Sequence, residues 1–440
     1  MNEFVAEDLN VSTQSTTPLV TSQDSVELFR DDFNVNNIGT KGSRLWNARV
    51  GARSGSGQTS YNLASNLVVS GNVLNILFRK GGEPTDPTAF TAGGVISKDK
   101  FGYGYYETKV KLYTGSYGFH QSFWMSNPIQ DINGFEFDSR LTGYSYLYPS
   151  CYNNLLLDPI YQDGEYFTFN YANNPKIPMS GGLGSGNNYK DPTNNSSTPW
   201  HVFGYDWTPT GIKMYLNNNY YGQINFTGSQ GTNFSTLFSP SQVWLTGVPF
   251  KFYPLTDIVT PHDSARMQVG YFAYTAKKYK GYNILGDSSF GLVKPTTNAT
   301  TNLSSCWSKS AIGTNYDITT GNNNYVIIDG NNKFLEQRSS VDYKANVSQT
   351  LSYICNGVYE LRAKIRCSTH SIANGFQFIV LDSANNVLAS RVIMYPQPNW
   401  INISIPNINV TQNKVTILIR SVGKANEWAQ VDDISFVSVN

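Results

Sequence analysis

The stretch Tyr105-Tyr106-Glu107-Thr108-Lys109-Val110-Lys111-Leu112 alternates two kinds of residue with a period of two. Successive side chains of a β-strand point to opposite faces, so the even-numbered residues of this stretch are predicted to share one face of a strand. Residues 67–70 and 73–78 flank Gly71-Asn72, a pair typical of a two-residue hairpin turn. No helix-period stretch exceeds two turns. Short strands with frequent turn signals predict an all-β chain of the sandwich or jelly-roll type.

Composition excludes several classes of function. The 440 residues are 14% aromatic and only 14% charged, with 32 basic and 31 acidic side chains. A net charge of +1 argues against a nucleic-acid partner, which needs a basic surplus, and against a polybasic membrane binder. No apolar run reaches the ~18 residues of a membrane span, so membrane insertion is not expected. The length predicts two or three domains.

Changes in composition divide the sequence into four segments. Residues 1–26 are polar and lack periodicity, so we interpret them as an N-terminal arm. Strand patterns occupy 27–282, a polar linker covers 283–304, and strands resume over 305–440 as a second, smaller β-sandwich. The first 25 residues lack a basic region followed by an apolar core, so no secretory signal is visible. We expect an extracellular or virion-associated protein.

Two carboxylates are predicted to lie side by side in the segment Asn133-Gly134-Phe135-Glu136-Phe137-Asp138-Ser139-Arg140-Leu141. On a strand, Glu136 and Asp138 share a face about 7 Å apart. Neighbouring carboxylates raise one pKa and can share a proton. Retaining glycosidases use a carboxylate nucleophile and a general acid at ~5–5.5 Å. An isolated E-x-D pair is more often two solvated acids on an exposed strand.

The surrounding motifs give this pair its context. They are Gly93–Lys111, Gly118-Phe119-His120-Gln121-Ser122-Phe123-Trp124-Met125, Trp200–Pro209, Ile212–Asn217 and Val243-Trp244-Leu245. In this order, over roughly residues 27–280, the sequence resembles the family 16 glycoside hydrolases, the laminarinase, agarase and carrageenase group. The resemblance implies a concanavalin-like β-sandwich jelly roll whose concave sheet forms a cleft for an extended β-linked polysaccharide.

The resemblance also implies roles for individual residues. Glu136 matches the family's nucleophile and Asp138 its auxiliary acid. The acid/base Glu of the family follows the nucleophile by four residues, or by five where the strand bulges. Arg140 and Leu141 stand at those positions. Neither donates a proton to a leaving oxygen at neutral pH, and loss of general acid catalysis costs about 10²–10⁴-fold in rate.

Three explanations of this departure remain open. The domain binds glycan without cutting it, or another carboxylate downstream (Asp158, Asp163 or Glu165) serves as the acid, or the acid was substituted deliberately to trap substrate. The chain is therefore either a retaining endo-glycosidase or a non-catalytic glycan-binding protein. A virion or surface attachment protein is the alternative from a third class.

Further positions follow from the same resemblance. Trp124, His120 and Arg140 are assigned to substrate binding, whereas His201 and Trp207 are assigned to the sandwich core or its edge. Many family members hold a structural calcium through an Asp in their last strand. Gly270 stands there in this chain, which argues against that calcium. The four scattered His residues indicate no transition-metal site, and no cofactor is expected.

The C-terminal segment resembles carbohydrate-binding modules of the galactose-binding jelly-roll type. The resemblance rests on Trp307, Gly357–Lys364, Asn399-Trp400 and Trp428–Phe436. A module of this kind would raise avidity for a long polymer without new contacts in the cleft. The expected partner is a polysaccharide or a cell-surface glycan. Association with other chains of an assembly through the N-terminal arm is a further hypothesis.

Overall fold

The structure is a computed structural model, and it describes twenty parts of the chain. These are residues 11–13, 24–39, 45–55, 58–81, 90–113, 119–126, 130–139, 146–147, 150–153, 166–168, 200–225, 239–249, 265–290, 299–300, 303–304, 306–311, 324–329, 332–369, 375–393 and 396–439. Within them, no helix has the length and apolar character needed to cross a bilayer.

The described residues form thirty-two strands and one short 3-10 helix, Ala64–Asn66. The first sixteen strands are β1 Val11–Thr13, β2 Ser25–Asp31, β3 Trp46–Ala48, β4 Gly51–Gly55, β5 Gln58–Asn62, β6 Leu67–Val69, β7 Leu74–Leu77, β8 Arg79–Lys80, β9 Phe90–Ala92, β10 Gly94–Phe101, β11 Gly104–Lys111, β12 Phe119–Ser126, β13 Gln130–Ser139, β14 Tyr146–Leu147, β15 Ser150–Asn153 and β16 Tyr166–Thr168. The others are β17 His201–Thr208, β18 Gly211–Leu216, β19 Asn219–Asn225, β20 Ser241–Pro249, β21 Arg266–Lys277, β22 Ala299–Thr300, β23 Ser308–Ala311, β24 Asn324–Asp329, β25 Asn332–Arg338, β26 Tyr343–Ser352, β27 Gly357–Cys367, β28 Phe376–Leu381, β29 Val387–Ile393, β30 Gln397–Val410, β31 Lys414–Gly423 and β32 Trp428–Ser438.

These strands belong to two compact units. The larger unit comprises Glu27–Thr232 and Pro240–Ala276, and the smaller comprises Met1–Val26, Asn233–Ser239 and Lys277–Asn440. The all-β fold class predicted from sequence is confirmed. The predicted segment boundaries and the role of residues 1–26 as an arm stay predictions, although β1 pairs with β29 of the smaller unit.

The larger unit is a sandwich of two antiparallel sheets with a smaller third sheet. The first sheet has the order β16-β15-β13-β12-β20-β10-β3, and the second has β19-β18-β17-β11-β21-β7-β6. Aromatic rings join them: Phe123 of β12 lies 4.9 Å from Tyr205 of β17 and 6.0 Å from Phe272 of β21, measured between ring centroids. Aromatic pairs at such distances contribute about 0.5–1.5 kcal/mol each beyond the area they bury.

Local sequence patterns explain two elements of this unit directly. In β11, Tyr106, Thr108 and Val110 are fully buried, as the period-two alternation predicts. Gly71 and Asn72 both have positive φ, and Ser70 and Val73 exchange backbone hydrogen bonds, which closes the predicted hairpin between β6 and β7. Two consecutive positive φ values are the geometry that an Asn- and Gly-containing turn supplies at low cost.

The smaller unit is a second sandwich, with sheets β1-β29-β28-β31-β26-β23 and β22-β24-β25-β32-β27-β30. One apolar cluster fills its core, with Ile365 of β27 and Ile417 of β31 among its members. Trp307 belongs to that cluster and its indole N–H donates to the Asp287 carbonyl at 3.0 Å. Trp307 therefore packs inside the sandwich and does not face solvent.

Candidate functional site

One face of strand β12 is the centre of the candidate site. Phe123 and Met125 are fully buried against the core, whereas Trp124 between them is half-buried on the opposite face. β20 pairs with β12 in regular register, with Ser122 opposite Thr246 and Trp124 opposite Trp244. Residues directly opposite one another share a face of the sheet. We call this face, with Ser122, Trp124, Trp244 and Thr246, the tryptophan face.

An aromatic pair and a cation form the middle of the tryptophan face. The rings of Trp124 and Trp244 have centroids 4.7 Å apart and planes inclined at 32°. The guanidinium of Arg49 lies 5.7 Å from the Trp124 centroid and 5.1 Å from the Trp244 centroid. Each cation–π contact of this kind contributes about 0.5–2 kcal/mol. The three side chains therefore hold one another in fixed positions.

Hydroxyl groups anchor one end of the pair. The Trp124 indole N–H donates to Thr246 Oγ1 at 3.0 Å, and that hydroxyl lies 2.7 Å from Ser122 Oγ. Both hydroxyl residues are 1% exposed. The Trp244 indole N–H is buried and has no acceptor among the residues that the structure describes. The ring of Trp124 is thus fixed by hydrogen bonding, while that of Trp244 is fixed by packing.

The backbone register places the two predicted carboxylate residues beside this cluster. In the pairing of β12 with β13, Glu136 lies opposite Ser122 and Asp138 lies opposite His120. The register shifts between Phe123 and Trp124, which is a β-bulge. Beyond it the two positions keep the period of two, so both are on the face that carries Ser122. Their side chains lie outside what the structure describes, and their catalytic roles stay predictions.

The other predicted site residues have varied positions. His120 is 8% exposed and lies on β12 opposite Val248 of β20. Arg140 lies outside the described residues. His201 and Trp207 are 3% and 2% exposed, which confirms their assignment to the core. Burial lowers the pKa of the His201 imidazole, whose Nδ1 lies 3.3 Å from Asn217 Nδ2.

Gly270, at the position where the resemblance implies a calcium ligand, lies next to the side chains of Lys109 and Trp200. A Cβ atom on Gly270 would lie 3.4 Å from both Lys109 Cδ and Trp200 Cζ3. The Lys109 ammonium is 5.4 Å from the Trp200 ring centroid. No group of three metal-ligating side chains occurs among the described residues. Whether the chain binds calcium stays a prediction.

In the second sheet of the larger unit, the Glu107 carboxylate lies between the phenol groups of Tyr271 and Tyr105. Glu107 accepts hydrogen bonds from Tyr271 at 2.5 Å and from Tyr105 at 3.2 Å. Burial, with the neighbouring Glu107 charge and its hydrogen bonds, raises the pKa of both phenols well above their ordinary value. Arg30 stacks over the Tyr271 ring at 4.2 Å. This network ties β2, β11 and β21 together.

Sequence reasoning missed Arg49, Thr246 and Ser122 and did not assign Trp244 to the site. Trp244 alternates with the buried Val243 and Leu245, so its period of two carried a usable signal. Arg49 follows β3 and reaches the site because its backbone N–H donates to the Gly94 carbonyl at 2.7 Å. No local pattern encodes that contact.

Comparisons with known proteins give similarity at the level of structure. No protein-family model matches the chain, and no curated protein sequence matches it. The laminarinase catalytic domain from Thermotoga maritima is 15% identical, with a TM-score of 0.40 over 58% of this chain and 100% of that chain. The endo-β-1,3-glucanase from Pyrococcus furiosus is 17% identical, with a TM-score of 0.40 over 59% of this chain and 99% of that one.

A third similar structure is the GH16 protein of the Bacteroides ovatus mixed linkage glucan PUL, in complex with a G4G4G3G product. It is 14% identical, with a TM-score of 0.40 over 56% of this chain and 99% of that chain. The GH16 family is the one that the sequence motifs resemble. Similarity at this identity and TM-score assigns no activity and no ligand to this chain.

Proposed function

We propose that the larger unit binds a β-linked polysaccharide along the tryptophan face. The observation that carries the proposal is the pairing of Trp124 with Trp244, next to the strand β13 that contains Glu136 and Asp138. Aromatic rings offer apolar area to the C–H faces of sugars, and a few fixed polar groups orient a ligand. The Arg49 guanidinium, which lies beside both rings, supplies N–H donors of this kind.

The polar groups on this face match a neutral, hydroxylated ligand. The two indole rings offer uncharged surface to a sugar, and the Arg49 guanidinium has N–H groups that can donate to sugar hydroxyls. The resemblance to family 16 at the same motifs points to an extended β-linked chain. A composition that is 14% aromatic and 14% charged agrees with recognition by stacking and hydrogen bonding.

Turnover is expected to be slow or absent. Arg140 and Leu141 stand where the resemblance expects the general acid, and neither protonates a leaving group. If the chain is a hydrolase, the Glu136 carboxylate bonds to the anomeric carbon as the glycosidic C–O bond breaks, and a general acid protonates the leaving oxygen. The neighbouring Asp138 would adjust the charge of Glu136. The glycosyl-enzyme is then hydrolysed with retention, which needs an acid at ~5–5.5 Å from the nucleophile. Glycan binding without cleavage is therefore the activity that we propose first.

The test combines affinity electrophoresis with reducing-end release on laminarin, agarose, carrageenan and porphyran. The expected result is retardation in at least one gel, loss of that retardation in Trp124→Ala, and no release of reducing ends. Trp200→Ala is the matched control, because Trp200 also packs against a cation but contacts the second sheet. Absence of retardation by every polysaccharide would refute the proposal.

Three variants distinguish glycan binding alone from hydrolysis. Release of reducing ends by the wild type, abolished in Glu136→Gln, would establish the hydrolase and a relocated acid. If the wild type is inactive, Arg140→Glu and Leu141→Glu restore a carboxylate at the two positions that the resemblance indicates. A gain of turnover in either variant would identify the missing acid as the reason for inactivity.

A further inference from the structure

The outer face of sheet β22-β24-β25-β32-β27-β30 carries three cations on one strand. Arg362, Lys364 and Arg366 alternate along β27 with the buried residues Ala363 and Ile365. A period of two puts the three cations on the face turned away from the core. The three cations differ in whether a carboxylate neutralises their charge.

Two of the three cations are neutralised by carboxylates. Arg362 Nη2 lies 2.6 Å from Glu360 Oε2, and Lys364 Nζ lies 2.6 Å from Asp433 Oδ2. Arg366 forms no ion pair with any residue that the structure describes. An unpaired guanidinium on this strand keeps its full charge for a ligand.

The guanidinium of Arg366 is nevertheless held in place. Its Nε donates to Gln430 Oε1, and the Gln430 amide donates to Glu336 Oε2. The group also stacks 4.8 Å from the Trp400 centroid and 5.4 Å from the Phe334 centroid. Because the amide of Gln430 stands between Arg366 and Glu336, the carboxylate orients the network without contacting the guanidinium.

Ordering without neutralisation is what a preformed anion site requires. The Nη nitrogens of Arg366 have no acceptor among the described residues, since the hydrogen bond of its side chain uses Nε. A guanidinium edge matches the two oxygens of a carboxylate or sulfate, and such bidentate pairs are among the strongest in proteins. Arg338, on the next row of β25, is exposed and also has no ion pair within the described part of the chain.

Apolar surface lies next to this charge. Trp400 is 37% exposed, at the start of the exposed edge strand β30, and its ring meets Phe334 edge-to-face at 5.5 Å. Asn402, two residues on, is exposed on the same strand and lies opposite Lys364. An aromatic ring, an unpaired guanidinium and an exposed amide together suit a sugar ring that carries an acidic group.

We propose that the smaller unit binds an anionic sugar, with its carboxylate or sulfate bidentate on Arg366 and its ring against Trp400. This site is independent of the tryptophan face and of any activity there. Neutral sugars have no carboxylate or sulfate that could pair with the Arg366 guanidinium. The binding of a uronate and of a sulfated sugar share this chemistry, and separate probes distinguish them.

The test measures equilibrium binding of the full chain to a galacturonic acid hexamer, a carrageenan hexamer and a neutral laminarin hexamer by calorimetry. In the Trp124→Ala background, which removes binding at the tryptophan face, at least one anionic hexamer is expected to bind more tightly than the neutral one. Arg366→Gln is expected to weaken that binding at least tenfold. Arg366→Lys keeps the charge but loses the bidentate edge, so it is expected to lose most of the affinity as well.

Arg362→Gln is the matched control, because it removes one positive charge from the same face of the same strand. It is expected to change the affinity less than twofold. Equal loss in Arg362→Gln and Arg366→Gln would overturn the proposal in favour of a general charge effect. Binding of the neutral hexamer alone, or unchanged affinity in Arg366→Gln, would also overturn it. Unaltered unfolding midpoints verify that each variant is folded. Trp124→Ala shows how much of the measured binding takes place at the tryptophan face of the larger unit.

Discussion

The indole rings of Trp124 and Trp244 lie 4.7 Å apart on neighbouring strands, with the Arg49 guanidinium over both. Neither ring can move far without losing the other, so the face they form is fixed before a ligand arrives. Preformed surfaces lose less side-chain entropy on binding. We therefore expect Trp244→Ala to weaken binding of laminarin at least tenfold in affinity electrophoresis. The substitution removes one of the two indole rings of the tryptophan face, and Trp124 and Arg49 lose the ring that they pack against.

A conservative variant separates ring area from mere packing. Trp244→Phe keeps an aromatic face, so it is expected to retain more affinity than Trp244→Ala. Both variants should lower the unfolding midpoint, Trp244→Ala more than Trp244→Phe, because the ring packs on Trp124 and Arg49. Binding is therefore compared at a temperature at which both variants are folded. Equal affinities in wild type and Trp244→Ala would contradict the assignment of this face to glycan binding.

The sequence predicts those elements whose signal is local. The alternation along β11 and the Gly71-Asn72 turn each depend on residues that are neighbours in the chain, and the structure confirms both. The tryptophan face depends on pairing between β12 and β20, and on an arginine from a third segment. Register between distant strands is set by the packing of the whole sandwich, so no short pattern contains it. Family resemblance supplied Trp124, but it supplied neither Arg49 nor Thr246.

Calcium is expected to have no effect on the stability of the larger unit. Gly270 brings no carboxylate to the position that the resemblance implies for the metal, and the Lys109 ammonium stacks on Trp200 beside it. The positive charge of Lys109 at this position repels a calcium ion. Thermal unfolding midpoints with excess calcium and with EDTA should therefore agree within about 1 °C, since a bound ligand would raise the midpoint. A reproducible rise with calcium would show that another set of residues binds the metal.

The buried carboxylate of Asp31 is expected to contribute strongly to the stability of the larger unit. Its Oδ2 accepts the indole N–H of Trp46 at 2.8 Å, and its Oδ1 accepts the backbone N–H of Phe33 at 2.9 Å. Asp31→Ala leaves both buried donors unsatisfied, which costs about 1–3 kcal/mol for each group. We expect a loss of about 2–6 kcal/mol in the free energy of unfolding, measured in urea. Asp31→Asn keeps one acceptor but turns its NH2 group towards the other donor, so it should lose less than Asp31→Ala. Equal losses would show that the one retained hydrogen bond does not stabilise the fold.

Stability of the smaller unit should depend on the ionisation of Asp432. Burial raises the pKa of this carboxyl to about 6, and the Asp433 charge adds to the shift, against lowering by the Asp433 backbone N–H and by Lys364. The folded state then binds the proton more tightly than the unfolded state, whose pKa is 3.8. Its contribution to stability is fully present below pH 3.8 and is lost as pH rises through about 6.

Asp432→Asn tests this sign. The amide oxygen can replace Oδ1 as the acceptor of the Asp433 backbone N–H, which lies at 2.8 Å. At pH 7.5 the variant is expected to be more stable than the wild type by about 1 kcal/mol, after allowance for solvent screening of a half-buried group. At pH 4 the two should agree. Asp433→Asn is the matched control: it removes the partner of Lys364, so it should be neutral or slightly destabilising at pH 7.5. Urea unfolding of a transition assigned to this unit, at both pH values, measures the difference. A less stable Asp432→Asn at pH 7.5 would mean that the ionised carboxylate stabilises the fold and that burial is not the dominant effect at this position.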